Sequence, residues 1–199
     1  MLRTTLDQWR IRRQRGEDLW LFAYASLIWR PEFEAQEHHA AHVFGYHRAL
    51  RMRSTVNRGT TDQPGLVFAL LHGGSCKGVV YRVAARDAEV TLLRLWEREM
   101  VTSVYDPVWL NCTNAHQRKL SALGFVLPRR SPSLMQHLSD TELLAIFKTA
   151  QGRFGTTLAY LLDTAQAFDQ HGIHDHEVRR MARLARQHGL VRAPQPERQ

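Results

Sequence analysis

Short apolar runs separated by polar or glycine-containing segments fill the first two-thirds of the chain. Six of them predict strands, over residues 19–24, 42–50, 66–71, 78–83, 107–114 and 120–126. The third and fourth runs are joined by the segment HGGSCKG, whose paired glycines predict the turn of a hairpin. The polar segment 54–65 before the third run contains two glycines and a proline and predicts a loop.

Helical periodicity occurs in the middle of the chain and again throughout its last third. The segment 86–101 predicts a helix that Asp87 can cap, with Leu92 and Leu95 on one face. Further helices are predicted over 139–150, 156–170 and 176–188, and a short one over 5–14. Ser139 has a glutamate three residues later, which is the spacing of a capping box. Strands followed by helices without regular alternation favour an α+β fold with a helical C-terminal third.

Length and composition favour one globular domain over residues 1–199. Hydrophobic residues make up 44% of the chain, but no apolar run approaches the roughly 20 residues of a membrane span. The two cysteines, Cys76 and Cys112, exclude a disulfide scaffold and indicate thiols in a reducing, cytoplasmic environment. We expect residues 1–18 to form a basic arm that lacks the apolar core of a secretory signal, and residues 190–199 to fray.

A net charge of +8 is compatible with a nucleic-acid, membrane or small anionic partner. The basic residues cluster only at 10–15, 48–53 and 179–186, with no RNA-binding consensus or zinc-finger spacing nearby. The simpler interpretation is an arginine-rich composition, so we predict no nucleic-acid and no membrane partner. Salt-dependent binding of nucleic acid by the basic arm remains an alternative.

Metal and nucleotide sites are not indicated by the remaining motifs. The glycine-rich segment 73–78 lacks the order of a phosphate-binding loop. The neighbouring histidines His171, His174 and His176 lack a further ligand at a rigid spacing. We therefore predict no metal and no cofactor.

The segment from Leu19 to Trp29 is the first candidate for a functional site. A buried strand that ends in small residues presents successive backbone N–H groups, which can bind a carboxylate or stabilise an oxyanion. The simpler interpretation is an ordinary strand end at which Ser26 caps a turn.

Glu99 is the second candidate, because it falls on the same helical stripe as Leu92 and Leu95. Glu97 lies roughly 200° away around the helix and is expected to face solvent. A carboxyl group in an apolar pocket has a raised pKa, which suits a general acid or base. A glutamate at the edge of an apolar face that pairs with an arginine explains the same pattern more simply.

Several motifs, taken in order, resemble the ChaC-like γ-glutamylcyclotransferases over about residues 19 to 185. They are FAYASLIW (22–29), GYHR (45–48), RGT…QPGLV (58–67), GGSCKGVVYR (73–82), WEREM (96–100) and GRFGTTLAYL (152–161). The resemblance implies a mixed β-barrel with flanking helices and a reaction that needs no cofactor. The implied reaction cleaves a γ-glutamyl peptide, above all glutathione, to 5-oxoproline and cysteinylglycine.

The same resemblance implies the site residues. Glu99 matches the family's catalytic glutamate, and Tyr105 is expected to line the glutamyl pocket, with Tyr160 a weaker candidate. The family's substrate loop matches Tyr24, Ala25, Ser26, Leu27, Ile28 and Trp29. Because glutathione is an anion, some arginines could attract it, and Arg48, Arg51 and Arg53 are candidates.

One departure from the family pattern is Ala25, which replaces a glycine of the substrate loop. If the backbone there needs a positive φ, alanine strains it, and if the glycine admits the ligand, the methyl group narrows the pocket. Other γ-glutamyl amino acids or amines remain alternative substrates. A binding module that holds a γ-glutamyl ligand without catalysis also remains open, and the sequence does not indicate the oligomeric state.

Overall fold

The helices predicted from periodicity are all present in the structure, a computed structural model that describes residues 1–100, 104–114 and 117–191. The helices are α1 (Leu2–Gln14), α2 (Ser26–Trp29), α3 (Ala88–Glu99), α4 (Asp140–Thr149), α5 (Thr157–Gln170) and α6 (His176–Gln187). The strands are β1 (Leu19–Ala23), β2 (Glu37–Ser54), β3 (Gly65–Val83), β4 (Asp106–Asn114), β5 (Lys119–Val126), β6 (Gln151–Gly152) and β7 (Gly155–Thr156). Ser139 forms the predicted capping box at the start of α4. The one-turn helix α2 and the short hairpin of β6 and β7 were not predicted.

Strands β1 to β5 form a closed barrel in the order β1-β3-β2-β4-β5. The β1–β3, β2–β4 and β4–β5 ladders are antiparallel, whereas β1 and β5 pair in parallel, with Leu21 opposite Leu123. The barrel is therefore mixed, and the predicted α+β fold with a mixed β-barrel and flanking helices is confirmed.

The hairpin predicted at HGGSCKG is wrong, because β3 runs without interruption from Gly65 to Val83. Gly73 and Gly74 have φ values of +100° and +71°, so the strand bends at this point instead of reversing. The side chain of His47 on β2 forms a hydrogen bond of 2.9 Å with the Gly73 carbonyl across the bend. The two glycines therefore lie inside a long curved strand. The chain reverses direction earlier, in the loop between β2 and β3.

Contacts divide the chain into two compact units. The first comprises Met1–Leu50 and Phe68–Leu134, and the second comprises Arg51–Val67 together with the chain from Met135 onward. The core of the first unit is formed by side chains that are at most 2% exposed, among them Leu21, Phe22, Val79, Leu110 and Leu123. One domain over residues 1–199 stays a prediction.

Helix α1, which covers most of the predicted basic arm, packs against α3. Trp9 is completely buried, which shows that the inner face of α1 belongs to the core. Arg10 pairs with Glu89 of α3 at 3.0 Å, and Arg12 lies 4.2 Å above the ring of Trp109. The predicted basic arm thus contains a helix that packs through one face on α3. Residues 192–199 of the predicted frayed tail lie outside the described residues.

In the second unit the loop between β2 and β3 interlocks with the segment that leads into α5. Arg58 is only 7% exposed and donates to the Phe154 carbonyl at 2.6 Å. The Thr157 hydroxyl accepts from the Leu66 amide at 2.9 Å and donates to the Arg58 carbonyl at 3.3 Å. A Cβ atom on Gly65 would lie 2.0 Å from the Arg58 carbonyl oxygen, so only glycine fits this contact. Within the described part of the chain, no helix has the length and apolar character to cross a membrane.

Candidate active site

The predicted substrate loop leaves the barrel at the end of β1 and continues directly into α2. Tyr24, Ala25, Leu27 and Ile28 are each less than 10% exposed, so the loop is part of the packed interior of the first unit. Its backbone closes on itself through hydrogen bonds from the Ile28 amide to the Ala25 carbonyl and from the Arg30 amide to the Ser26 carbonyl, both 2.8 Å long. The segment is therefore a fixed turn.

Side chains from the barrel hold the first part of the loop. The Tyr24 hydroxyl donates to the Phe125 carbonyl of β5 at 3.0 Å. Arg48 of β2 donates to the Tyr24 carbonyl at 2.7 Å and to the Lys77 carbonyl at 3.0 Å. Arg48 is only 7% exposed, and its guanidinium group is used to hold the backbone at Tyr24 and Lys77. The expectation that Arg48 attracts substrate from solvent is therefore not supported.

Two further side chains hold the second part of the loop. The Tyr81 hydroxyl of β3 donates to the Ile28 carbonyl at 3.0 Å. Burial raises the pKa of Tyr81 to about 12, so the phenol keeps its donor proton at neutral pH. Arg98 of α3 donates to the Ser26 hydroxyl at 3.2 Å and to the Arg30 carbonyl. These contacts were not predicted from the sequence, since 53 residues separate Tyr81 and 68–72 residues separate Arg98 from the positions they contact.

Ala25 adopts φ −151°, which lies outside the left-handed region that favours glycine. The concern that alanine strains a positive φ at this position is therefore removed.

Glu99 is the last residue of α3, and only 16% of its side chain is exposed. Its Oε1 atom lies 3.1 Å from Nε of Arg98. Burial raises the pKa of Glu99, the Arg98 guanidinium opposes this shift, and the Glu32 carboxylate adds to it. Leu92 and Leu95 on the same stripe are buried, and Glu97 is exposed as expected. The simpler interpretation, a glutamate paired with an arginine, is correct as well, since Glu99 is both enclosed and paired.

Glu32 completes the charged cluster. Its carboxylate lies 3.0 Å from Nη1 of Arg98 and 2.6 Å from Nε of Arg30. The loop of Ser26 and the carboxyl of Glu99 are thus connected through a single side chain, Arg98. Arg98 lies within the motif WEREM and Glu32 outside the family-like motifs, but the sequence assigned a role to neither of them.

The two tyrosine candidates lie in different units. Tyr105 is 6% exposed and directly precedes β4 in the first unit. Tyr160 is on α5 in the second unit, with the Arg58 guanidinium 5.0 Å from its ring centroid. Their contact with substrate stays a prediction. Among the described residues, no group of three or more His, Cys, Asp or Glu side chains is arranged to hold a metal ion.

Solved structures share the fold of this chain, and one of them is a γ-glutamylcyclotransferase. A crystal structure of a glutathione-specific γ-glutamylcyclotransferase from yeast superposes with a TM-score of 0.77 at 18% identity, over 85% of this chain and 96% of that one. The fold of this chain is therefore shared with that solved structure.

Sequence comparison leads to the family. The family model described as ChaC-like protein matches residues 19–188. The glutathione-specific γ-glutamylcyclotransferase of Escherichia coli (strain K12) is 34% identical over 79% of this chain and 68% of its own length. The human glutathione-specific γ-glutamylcyclotransferase 1 is 32% identical over 77% of this chain and 74% of its own length. The chain belongs to the ChaC-like family.

Proposed function

We propose that this protein is a γ-glutamylcyclotransferase that cleaves glutathione to 5-oxoproline and cysteinylglycine. The observation that carries the proposal is the carboxyl of Glu99, which is only 16% exposed and is joined through Arg98 to the loop of residues 24–29. Membership of the ChaC-like family and the names of the relatives support the choice of glutathione. Both cysteines are buried thiols, which suits a cytoplasmic enzyme working among reduced glutathione.

The reaction is an intramolecular acyl transfer. The α-amine of the glutamyl residue attacks its own γ-carbonyl, a five-membered lactam closes, and the amine of cysteinylglycine leaves. A site that holds the glutamyl chain folded, with amine and carbonyl in contact, supplies most of the acceleration through proximity. The rigid, buried loop 24–29 suits this task because its side-chain braces keep its geometry before the substrate arrives.

Glu99 is proposed as the acid and base of the reaction. Its carboxylate takes a proton from the α-ammonium, which frees the amine to attack. Ring closure releases a second proton from the attacking nitrogen, so the lactam keeps a single N–H. Glu99 passes the two protons in turn to the departing nitrogen, which leaves as an ammonium group, and the carboxylate is regenerated. A raised pKa favours the first step, because it makes the carboxylate a stronger base, and it keeps the acid form populated long enough to return the proton.

The start of α2 is proposed to hold the substrate's anionic groups. The first amides of a helical turn have no intrahelical acceptor, and those of Ser26 and Leu27 occupy this position. Backbone donors of this kind can bind the α-carboxylate or the developing oxyanion without side-chain chemistry. The glutamyl half of the substrate is common to all γ-glutamyl compounds, so other γ-glutamyl amino acids and amines belong in the test.

Product analysis tests the activity directly. We expect the purified protein, incubated with glutathione, to release 5-oxoproline and cysteinylglycine in equal amounts, measured by mass spectrometry without added metal. γ-Glutamyl amino acids and γ-glutamyl amines are assayed in parallel to define specificity. Release of free glutamate would indicate hydrolysis, and no 5-oxoproline from any of these substrates would contradict the proposal.

Ala25→Gly tests the role of the loop methyl group. Ala25 immediately precedes α2 and has a negative φ, so no left-handed backbone there requires glycine. We expect kcat/KM for glutathione to be retained, as measured by 5-oxoproline release. A large loss of turnover would show that the loop is assigned wrongly, and a clear gain would show that the methyl group narrows the pocket.

A further inference from the structure

Arg98 touches both parts of the candidate active site. Its guanidinium contacts the Ser26 hydroxyl at 3.2 Å, the Arg30 carbonyl, and the Glu99 carboxylate at 3.1 Å. We propose that Arg98 is a positioning residue that locks the substrate loop to Glu99, and that Glu32 holds Arg98 in this role. This inference rests on the proposed function and deepens it, by naming what sets the geometry and the ionisation of the general base.

The chemistry of the guanidinium group fits this task. Arginine presents five N–H donors in a planar fork, so it can serve several acceptors in different directions at once. The side chain of Arg98 is 18% exposed, which places these contacts largely away from solvent screening. A lysine at this position could keep the charge but could not reach all of these acceptors together.

Glu32 fixes the far side of the guanidinium. Its carboxylate pairs with Arg98 at 3.0 Å and with Arg30 at 2.6 Å. Glu32 has φ +59°, a left-handed conformation that a glutamate adopts only where surrounding contacts enforce it. The carboxylate of Glu32 thus lies between two guanidinium groups, those of Arg98 and Arg30.

The charged groups that act on Glu99 are Arg98 on its own helix and Glu32 on the turn that faces it. They act in opposite directions, since the cation favours the ionised carboxyl and the anion disfavours it. Arg98 holds Oε1, so Oε2 is the atom left to exchange the proton with substrate. Position and ionisation of the base thus depend on the same pair of side chains.

The pH dependence of kcat/KM for glutathione separates this role from a merely structural one. Activity rises with pH as Glu99 ionises, so the acid limb reports its pKa. Arg98→Met removes the cation and should move this limb to higher pH, whereas Glu32→Gln removes the anion and should move it to lower pH. We expect Arg98→Met to lower kcat/KM by about a hundredfold, because a misplaced base loses the proximity effect.

Two variants control the interpretation. Arg98→Lys keeps the charge and should leave the acid limb near its original position, yet it should lose kcat/KM because the bridge to the loop is broken. This variant also carries the test if Arg98→Met does not fold. Arg94→Met, an exposed arginine one turn earlier on α3, should match the parent in every measurement.

A second measurement does not depend on turnover. Hydrogen exchange followed by mass spectrometry should show faster exchange of residues 24–32 in Arg98→Met than in the parent or in Arg94→Met. If exchange in this segment and the acid limb both stay unchanged, the positioning role is overturned while parental 5-oxoproline release still supports the proposed function. If the two charge variants move the acid limb in the same direction, the pairing with Glu32 is overturned. If the parent protein is folded but has no turnover, the proposed function is overturned. In that case the hydrogen-exchange rates of residues 24–32 still test whether Arg98 holds the loop.

Discussion

Glu99→Gln is expected to lower kcat/KM for glutathione by about 10²- to 10⁴-fold, the usual contribution of a positioned general acid and base. The amide has nearly the shape of the carboxyl group but cannot take the α-ammonium proton or return it to the leaving nitrogen. Residual turnover from the loop's binding and positioning should persist and should lack the acid limb of the parental pH profile. The measurement is 5-oxoproline release over a range of pH.

Glu97→Gln is the matched control for this prediction. Glu97 lies on the same helix but is exposed, so removing its charge should leave turnover unchanged. Equal turnover of Glu99→Gln and the parent would contradict the assignment of Glu99, and a comparable loss in both variants would indicate a general effect on α3.

Stability should not explain the loss in Glu99→Gln. Burial raises the pKa of Glu99, so the folded state binds this proton more tightly than the unfolded chain does. The free energy of unfolding therefore falls as the pH rises from the ordinary glutamate pKa through the raised one. A neutral glutamine avoids this cost, so near neutral pH the variant should unfold at the same temperature as the parent or above it.

Gly65→Ala is expected to destabilise the second unit by about 3 kcal/mol, at the upper end for forcing a methyl group into a packed interior. The added Cβ would lie 2.0 Å from the Arg58 carbonyl oxygen and 2.5 Å from the Thr157 hydroxyl. Thr157 is completely buried and joins Arg58 to Leu66, so neither neighbour can move without losing a hydrogen bond. Thermal unfolding followed by circular dichroism should shift downward by roughly 6–12 °C.

Gly172→Ala provides the comparison within the same unit. Gly172 has φ +62° and open space around it, so alanine there costs about 1 kcal/mol of backbone strain and creates no clash. If both alanine variants unfold at the same temperature, the tight contact at Gly65 is not a determinant of stability.

Local sequence patterns correctly predicted the parts of the fold that depend on contacts between residues close in the chain. The apolar run of β1, the helical stripe of Leu92, Leu95 and Glu99, and the capping box at Ser139 each lie within a single strand or helix. For this reason the sequence predicted both the loop and the glutamate that the structure connects. It also placed Glu97 correctly on the exposed side of α3.

Features that depend on distant contacts could not be predicted in this way. Gly73 and Gly74 look like a turn locally, but the pairing partners of β3 extend its ladder past them, and the glycines only bend it. Arg98 and Tyr81 lie in family-like motifs, but no local pattern shows what they contact, because their partners at the loop are 53 or more residues away. Their roles follow from closure of the barrel, which no single segment specifies.

The packing of α1 on α3 also bears on where this protein can be shortened. The region shared with the family model begins at residue 19, after α1 has ended. A chain trimmed to that boundary would lack Trp9 and the Arg10–Glu89 ion pair, and would uncover one side of the helix that carries Glu99. Similarity thus marks what the relatives share, whereas the cooperative folding unit of this protein extends further toward the N-terminus.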